Sequence, residues 1–228
     1  MRPEARAGVP ALRVLGNRDS LRERAIESLR DALIAGDLVP GEVYSAPALA
    51  EMLGVSATPV REAMIDLARE GLVDVLRNKG YRAVGFSDRD LDELTELRAL
   101  IEVPTMGKVA ELADPADVEA LRPLADELNV TAAAGAIREF VRIDMEFHLR
   151  LLAMAGNRHL VEEVHRLRTR SRLRGLAELA ASGQLVTTAN EHSQLLDLLK
   201  ARDKTGVEQL MARHIGHIRG VWAGPSTS

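Results

Sequence analysis

The spacing of apolar residues along the chain changes twice, and each change marks a different kind of structure. Between residues 20 and 35, Leu21, Ala25, Leu29 and Leu33 recur every fourth position, with Ile26 and Ile34 beside them. That period predicts an amphipathic helix, which Gly36 can end. Val39-Pro40-Gly41-Glu42 reads as a turn and Val43-Tyr44 as a short strand. From Leu49 to Gly71 the helical period returns in two pieces. Leu49, Ala50, Met52 and Leu53 give the first piece an apolar side, and Gly54 can close it in a left-handed conformation. Ser56 or Thr58 can cap the second piece, and Pro59 fits its first turn, where a missing N–H costs nothing. Val60, Ala63, Met64 and Leu67 then lie at i, i+3, i+4 and i+7, so one face packs inward while Thr58, Arg61, Glu62 and Arg69 point elsewhere. After this the pattern becomes β-like. Leu72–Leu76 and Tyr81–Val84 flank Arg77-Asn78-Lys79-Gly80, which predicts a hairpin with a basic tip at Arg77 and Lys79. A helix-turn-helix followed by a hairpin has the shape of a winged helix, which fits a DNA major groove. Two helices around a glycine are common in helical proteins, however, and any small α+β domain can carry a basic hairpin.

Ser87 caps the next element, with Asp88 and Asp90 in its first turn. From there to Val221 only the helical period is present. Six helices are expected, at roughly 88–112, 115–132, 135–155, 158–181, 188–201 and 204–221, with breaks at Pro115, Gly135, Gly156-Asn157, Gly183 and Asp203. The fold class expected is therefore mostly α. A winged helix-turn-helix domain spans 19–86, and an all-α bundle of about six helices spans 87–222. Mobile tails are expected at 1–18 and 223–228.

Within the helical half, polar residues stand on apolar stripes. Ile137, Val141, Asp144, His148, Leu151 and Ala155 share one face, so Asp144 and His148 point inward one turn apart. His192 precedes Leu195, Leu196 and Leu199 on a helix whose start reads as a capping box from Thr188 to Glu191. His214 lies on the stripe of Val207, Leu210, Met211, Ile218 and Val221. A buried carboxylate is costly unless paired or metal-bound. One Asp and three His form a donor set for a divalent transition metal, with Zn²⁺ first among Zn²⁺, Ni²⁺, Co²⁺, Mn²⁺ and Fe²⁺. Each histidine alone could be a hydrogen-bonded core residue; the four inward positions together favour the metal. His159 and His165 show no such coincidence, and His217 is ambiguous. Arg98, on the stripe of Leu91, Leu94, Ile101 and Thr105, either pairs with Glu102 at the surface or clamps the carboxylate of a ligand.

Composition narrows the classes. The chain of 228 residues is 46% hydrophobic but only 3% aromatic, so its core must be aliphatic, which suits packed helices. It has no cysteine, which excludes disulfides and thiolate chemistry. No apolar run of about 18 residues exists to span a membrane, and the N-terminus lacks the apolar stretch of a signal peptide; a cytoplasmic protein is expected. The net charge of −4 resides in residues 87–228, while residues 1–86 balance to zero. Any phosphate contact must then come from local arginines and not from a bulk field.

Two sets of residues resemble known proteins. Gly36-Asp37-Leu38-Val39-Pro40-Gly41-Glu42, Leu49-Ala50-Glu51-Met52-Leu53-Gly54-Val55-Ser56, Thr58-Pro59-Val60-Arg61-Glu62-Ala63, Glu70-Gly71-Leu72-Val73 and Lys79-Gly80 together resemble the DNA-binding domain of GntR-family bacterial transcription regulators. The resemblance implies a homodimer on double-stranded operator DNA. Arg61 and Thr58, with Ser56 beside them, would contact the DNA, and Arg77, Lys79 and Gly80 would form the wing tip that enters the minor groove. Two departures stand out. The family usually has Arg where this chain has Ala57, and often a charge where Ala46-Pro47-Ala48 stands. An arginine forked onto guanine discriminates by about 1–3 kcal/mol, so its loss should shift the operator sequence. Glu96-Leu97-Arg98 with Glu102, Asp144 with Phe147 and His148, Gly156-Asn157, Glu191-His192 and Arg213-His214 resemble the FCD effector domain of the FadR-like branch. That resemblance implies a metal site of Asp144, His148, His192 and His214, and a small organic acid as effector, with Arg98, Glu102 and Asn157 binding it. Six helices would place the chain in the VanR-type subgroup. The expected function is a regulator, a repressor more than an activator, whose operator affinity responds to a carboxylate beside the metal. The alternatives are a constitutive DNA-binding protein with a structural metal and, further off, a metal-dependent hydrolytic enzyme. Against the enzyme, no separate general base has a reason to face the metal, and a winged helix has no role in it.

Overall fold

The computed structural model describes residues 18–85, 87–172 and 185–222. The expected tails at 1–18 and 223–228 lie outside the described residues, Arg18 apart. The first half runs α1 (Arg18–Ala35), β1 (Val43–Tyr44), α2 (Ala46–Leu53), α3 (Ala57–Arg69), β2 (Val73–Leu76) and β3 (Gly80–Ala83). Ser45 caps α2 by accepting the Ala48 N–H, and Pro47 sits in the first turn. The proline that stands where the family often has a charge is thus part of a helix start. Gly54 closes α2 at φ 66, as its position predicts. The sheet order is β1-β3-β2, antiparallel throughout, with Tyr44 opposite Tyr81 and Val75 opposite Tyr81 on the other side. Ala25, Leu29 and Leu33 of α1 pack with Leu49, Val60, Ala63, Met64, Leu67, Leu72 and Tyr81 into one core. Two expected core residues do not join it. Leu21 is 43% exposed and Met52 is 73% exposed. The buried side of α2 is Ala46, Leu49 and Ala50, and Met52 lies off it.

The second half consists of α4 (Asp88–Leu112), α5 (Pro115–Glu119), α6 (Arg122–Ala133), α7 (Ile137–Ala153), α8 (Arg158–Ser171), α9 (Leu185–Lys200) and α10 (Lys204–Trp222). The capping box of Ser87 and Asp90 starts α4 as expected. The single helix expected over 115–132 is two helices. Pro123, in the first turn of α6, cannot donate to the Glu119 carbonyl, and its ring excludes that carbonyl, so α5 ends there. The half therefore has seven helices among the described residues, and the helix count no longer favours the VanR-type subgroup. The helix expected over 158–181 is described only to Ser171, and the break at Gly183 lies outside the described residues. α9 is already helical at Leu185, so Thr188 is interior and the predicted capping box with Glu191 does not form. The core of this half is aliphatic, apart from Phe140 and Phe147, and joins all seven helices.

The halves meet along α1, α7 and α8. Ile34 packs against both cores, Arg138 of α7 pairs with Asp37 at 2.8 Å, and the Arg170 side chain lies over Gly71.

One local constraint is severe. Gly80 has φ 124, and a Cβ there would overlap the Tyr44 carbonyl oxygen. Gly80→Ala should destabilise the protein by about 1–3 kcal/mol through strain and loss of the β1–β3 contact, measured by chemical unfolding. Lys79→Ala, at the exposed neighbouring position, should leave the unfolding midpoint unchanged.

Candidate functional site

The predicted stripe on α7 places Asp144 and His148 at 5% and 0% exposure. α9 brings His192 and α10 brings His214 to the same point, both buried. Asp144, His148, His192 and His214 each direct one ligand atom into a space where all four atoms lie within 4.8 Å of one another. His148 Nε2 is 3.2 Å from His192 Nε2 and 3.1 Å from His214 Nε2. Asp144 Oδ1 is 3.0 Å from His192 Nε2 and 3.5 Å from His148 Nε2.

The outer nitrogens decide which way the lone pairs point. His192 Nδ1 faces the Ala189 carbonyl at 3.0 Å and His214 Nδ1 faces a Glu191 oxygen at 2.8 Å. Both neighbours accept, so the protons sit on Nδ1 and the Nε2 lone pairs face the centre. The lone pairs of His192 and His214 thus lie beside the Asp144 oxygen, an arrangement that a cation at the centre would satisfy, while His148 Nδ1 has no hydrogen-bond partner among the described residues. Ligand bonds of 2.0–2.1 Å around a tetrahedral ion set donor–donor separations of about 3.3 Å, close to those present. The donor set therefore fits a first-row divalent ion.

Burial disfavours the charged imidazoles. It pushes His192 down to about 4, and it pushes His214 down to about 3 although Glu191 opposes the shift. Burial, and then the nearby Arg168, hold His148 well below its usual value.

A layer of arginines backs this cluster. Arg98 is buried and donates from Nε to Glu102 at 2.6 Å, so it both pairs with Glu102 and faces inward. Arg168 bonds Glu102 through Nε at 3.0 Å and through Nη2, and reaches Asp144 Oδ2 at 3.4 Å. Arg172 contacts Asp144 Oδ2 and donates to the Val141 carbonyl at 3.1 Å. Sequence reasoning missed Arg168 and Arg172. The available signal was their spacing of four and eight from Val164, obscured by arginines at 166 and 170. Burial would raise the Glu102 carboxyl, but Arg168 and Arg98 outweigh it and hold it down at about 2. Desolvation lowers Arg98 to about 10 and Arg172 to about 9. With the imidazoles neutral, three buried guanidiniums face two carboxylates, which leaves a positive excess before any metal is counted.

Glu191 was also missed, because it was assigned to a cap. It accepts from His214 and from Arg213 Nε at 3.1 Å, and His217 lies 3.5 Å away, outside the cluster. Asn157 is exposed and accepts the Leu160 N–H as the cap of α8, and no described contact ties it to the cluster. His159 is exposed, and His165 is half-buried between the domains.

At the other end of the molecule, Ser56, Thr58 and Arg61 are exposed at the start of α3, and Ser56 is its N-cap residue. Arg77 and Lys79 are exposed on the wing, whereas Gly80 is half-buried. Among the described residues, Arg61, Arg77 and Lys79 are in no ion pair.

Comparison with known proteins covers both halves. Residues 21–82 match the family described as bacterial regulatory proteins, gntR family, and residues 93–217 match the FCD domain. The HTH-type transcriptional regulator McbR of Escherichia coli is 28% identical, over 85% of this chain and 88% of the relative. The solved structure of E. coli McbR/YncC superposes with a TM-score of 0.75 at 26% identity, covering 86% of this chain and 94% of that one. The HTH-type transcriptional repressor GlaR of E. coli is 27% identical over 82% of this chain and 89% of the relative.

Two measurements test the cluster. Protein purified without an affinity tag should carry about one metal ion per chain, and Asp144→Ala and His192→Ala should lose it; equal metal content in all three would remove the assignment. In metal-free protein the folded state keeps the imidazoles neutral, whereas the unfolded chain takes up protons below about 6.5. Stability should therefore be complete above that pH and fall as pH drops toward 4, by about 1.4 kcal/mol per pH unit for each proton gained on unfolding. Urea titrations across that range should show a shallower fall for His192→Asn than for the parent.

Proposed function

The chain belongs to the GntR family of bacterial regulatory proteins, in the branch that carries an FCD domain, and we propose that within it this protein is a homodimeric, metabolite-responsive repressor. It is a transcriptional regulator and not an enzyme. In the proposed reading, Ser56, Thr58 and Arg61 meet the major groove, while Arg77 and Lys79 reach the minor groove on a wing shaped by Gly80. Repression is the sign the name of GlaR supports, and a ligand that prefers one placement of the two winged helices would relieve it.

The effector reading rests on one observation: a metal-ligand cluster shares Asp144 with a buried arginine layer that has more positive than negative charge. The metal, zinc first among the candidates, would supply a Lewis-acidic contact for an oxygen anion. The chain's own residues do the rest. Arg98, Arg168 and Arg172 attract a small carboxylate, and Glu102 holds Arg98 and Arg168 in place. Asn157, exposed and engaged as a cap, has no part in this set. A purely structural metal in a constitutive regulator would not require buried arginines beside it.

A panel of small mono-, di- and tricarboxylates added to metal-loaded protein should contain one that raises the melting temperature of the parent but not of Asp144→Ala or Arg98→Gln. If no acid separates the parent from these variants, the sensing role fails. For the DNA face, Arg61→Ala should weaken binding to an operator duplex selected from random sequences by roughly tenfold or more in a gel shift. Unchanged affinity would remove Arg61 from the contact set.

A further inference from the structure

Between the two halves lies a cavity of about 290 Å³ that shares no metal ligand with the cluster. Its walls come from α1 of the DNA-binding domain and from α7 and α8 of the bundle. Ile34, Val141 and Met145 make it apolar on one side. On the other, Arg30, His165 and the buried Arg172 turn toward it. In all, four arginines and two carboxylates line it, and the arginines also pair with Glu70, Asp37, Glu139 and Asp144 outside the lining. Arg30 lines this cavity; its Nη2 is held by Glu70 at 2.8 Å, and its Nε is buried without a hydrogen-bond partner among the described residues. A buried, charged donor left without an acceptor is costly, and an anionic oxygen would satisfy it. The volume equals that of about ten water molecules, enough for a ligand of roughly ten to fifteen non-hydrogen atoms.

We propose that this interdomain cavity is a second small-molecule site, which takes a small amphipathic monocarboxylate with its carboxylate toward Arg30 and its apolar body against Ile34, Val141 and Met145. None of its lining residues is a metal ligand, although Arg172 also contacts Asp144. The site joins the domains directly, because α1 is tied to α3 through Arg22–Asp66 and to the residue after α3 through Arg30–Glu70. A ligand bridging α1 to α7 and α8 therefore restrains the recognition helix relative to the bundle, a separate input to DNA affinity.

4-Fluorobenzoate, observed by fluorine NMR at millimolar concentration, is the probe. It should bind the parent protein, chelator-treated protein and His192→Ala with similar affinity. Met145→Trp, which fills the cavity, and Arg30→Gln, which removes the charge, should each weaken it by about tenfold or more, as for a lost hydrogen bond to a charged group. Met145→Leu, which keeps the cavity open, should retain binding. Loss of binding on chelation or in His192→Ala would place the probe at the metal centre and overturn the proposal. So would undiminished binding in both Met145→Trp and Arg30→Gln, or no binding to the parent.

Discussion

Five ionisable groups sit buried between three helices, and the arrangement of the bundle follows from the need to satisfy them together. Arg98 and Glu102 come from α4, Asp144 from α7, Arg168 from α8 and Arg172 from the C-cap that follows it. Removing one partner from such a set leaves an uncompensated buried charge, at a cost of roughly 3–5 kcal/mol. Neither α4, α7 nor α8 can slide or rotate without breaking a pair. Asp144 is the shared member. Its Oδ1 faces the imidazoles and its Oδ2 faces Arg168 and Arg172. The cluster and the arginine layer are therefore one electrostatic unit, and a change on one side of the carboxylate is felt on the other.

α8 carries this unit to the domain boundary through its own periodicity. Arg168 and Arg172 point inward, Arg166 is exposed, and Arg170 lies over Gly71 at the end of the DNA-binding half. Four arginines at alternate positions thus serve three surroundings across the last turns of α8 and its C-cap. α7 does the same with Asp144 inward and Arg138 paired to Asp37. α7, which supplies Asp144 and His148, and α8, which supplies Arg168, are also the helices of the bundle that touch the winged helix, so a shift in them has a short path to α1.

Much of this was legible in the residues before any coordinates. Stripes at a spacing of three and four located Asp144, His148, His192 and His214, because a polar residue among leucines has a single direction to face. Ser87, Gly54 and Pro59 marked helix ends through local chemistry that tertiary packing does not override. The failures have equally local causes. Thr188 and Glu191 satisfy the spacing of a capping box, yet the helix runs through them, and Glu191 serves His214. Pro123 divides a stretch whose apolar period is unbroken. Arg168 and Arg172 were hidden because an arginine-rich helix gives no contrast between buried and exposed arginines; burial depends on helices distant in sequence. Met52 was misplaced because an eight-residue helix shows too little of its arc to define a face.

The close approach of Gly80 to the Tyr44 carbonyl carries a lesson about how this reader can evolve. The wing's shape depends on a residue that admits no side chain, while the positions that would meet DNA, Arg77 and Lys79 on the wing and Ser56, Thr58 and Arg61 on α3, are exposed and open to substitution. Mutational drift can therefore alter which bases are preferred without disturbing the scaffold that presents them.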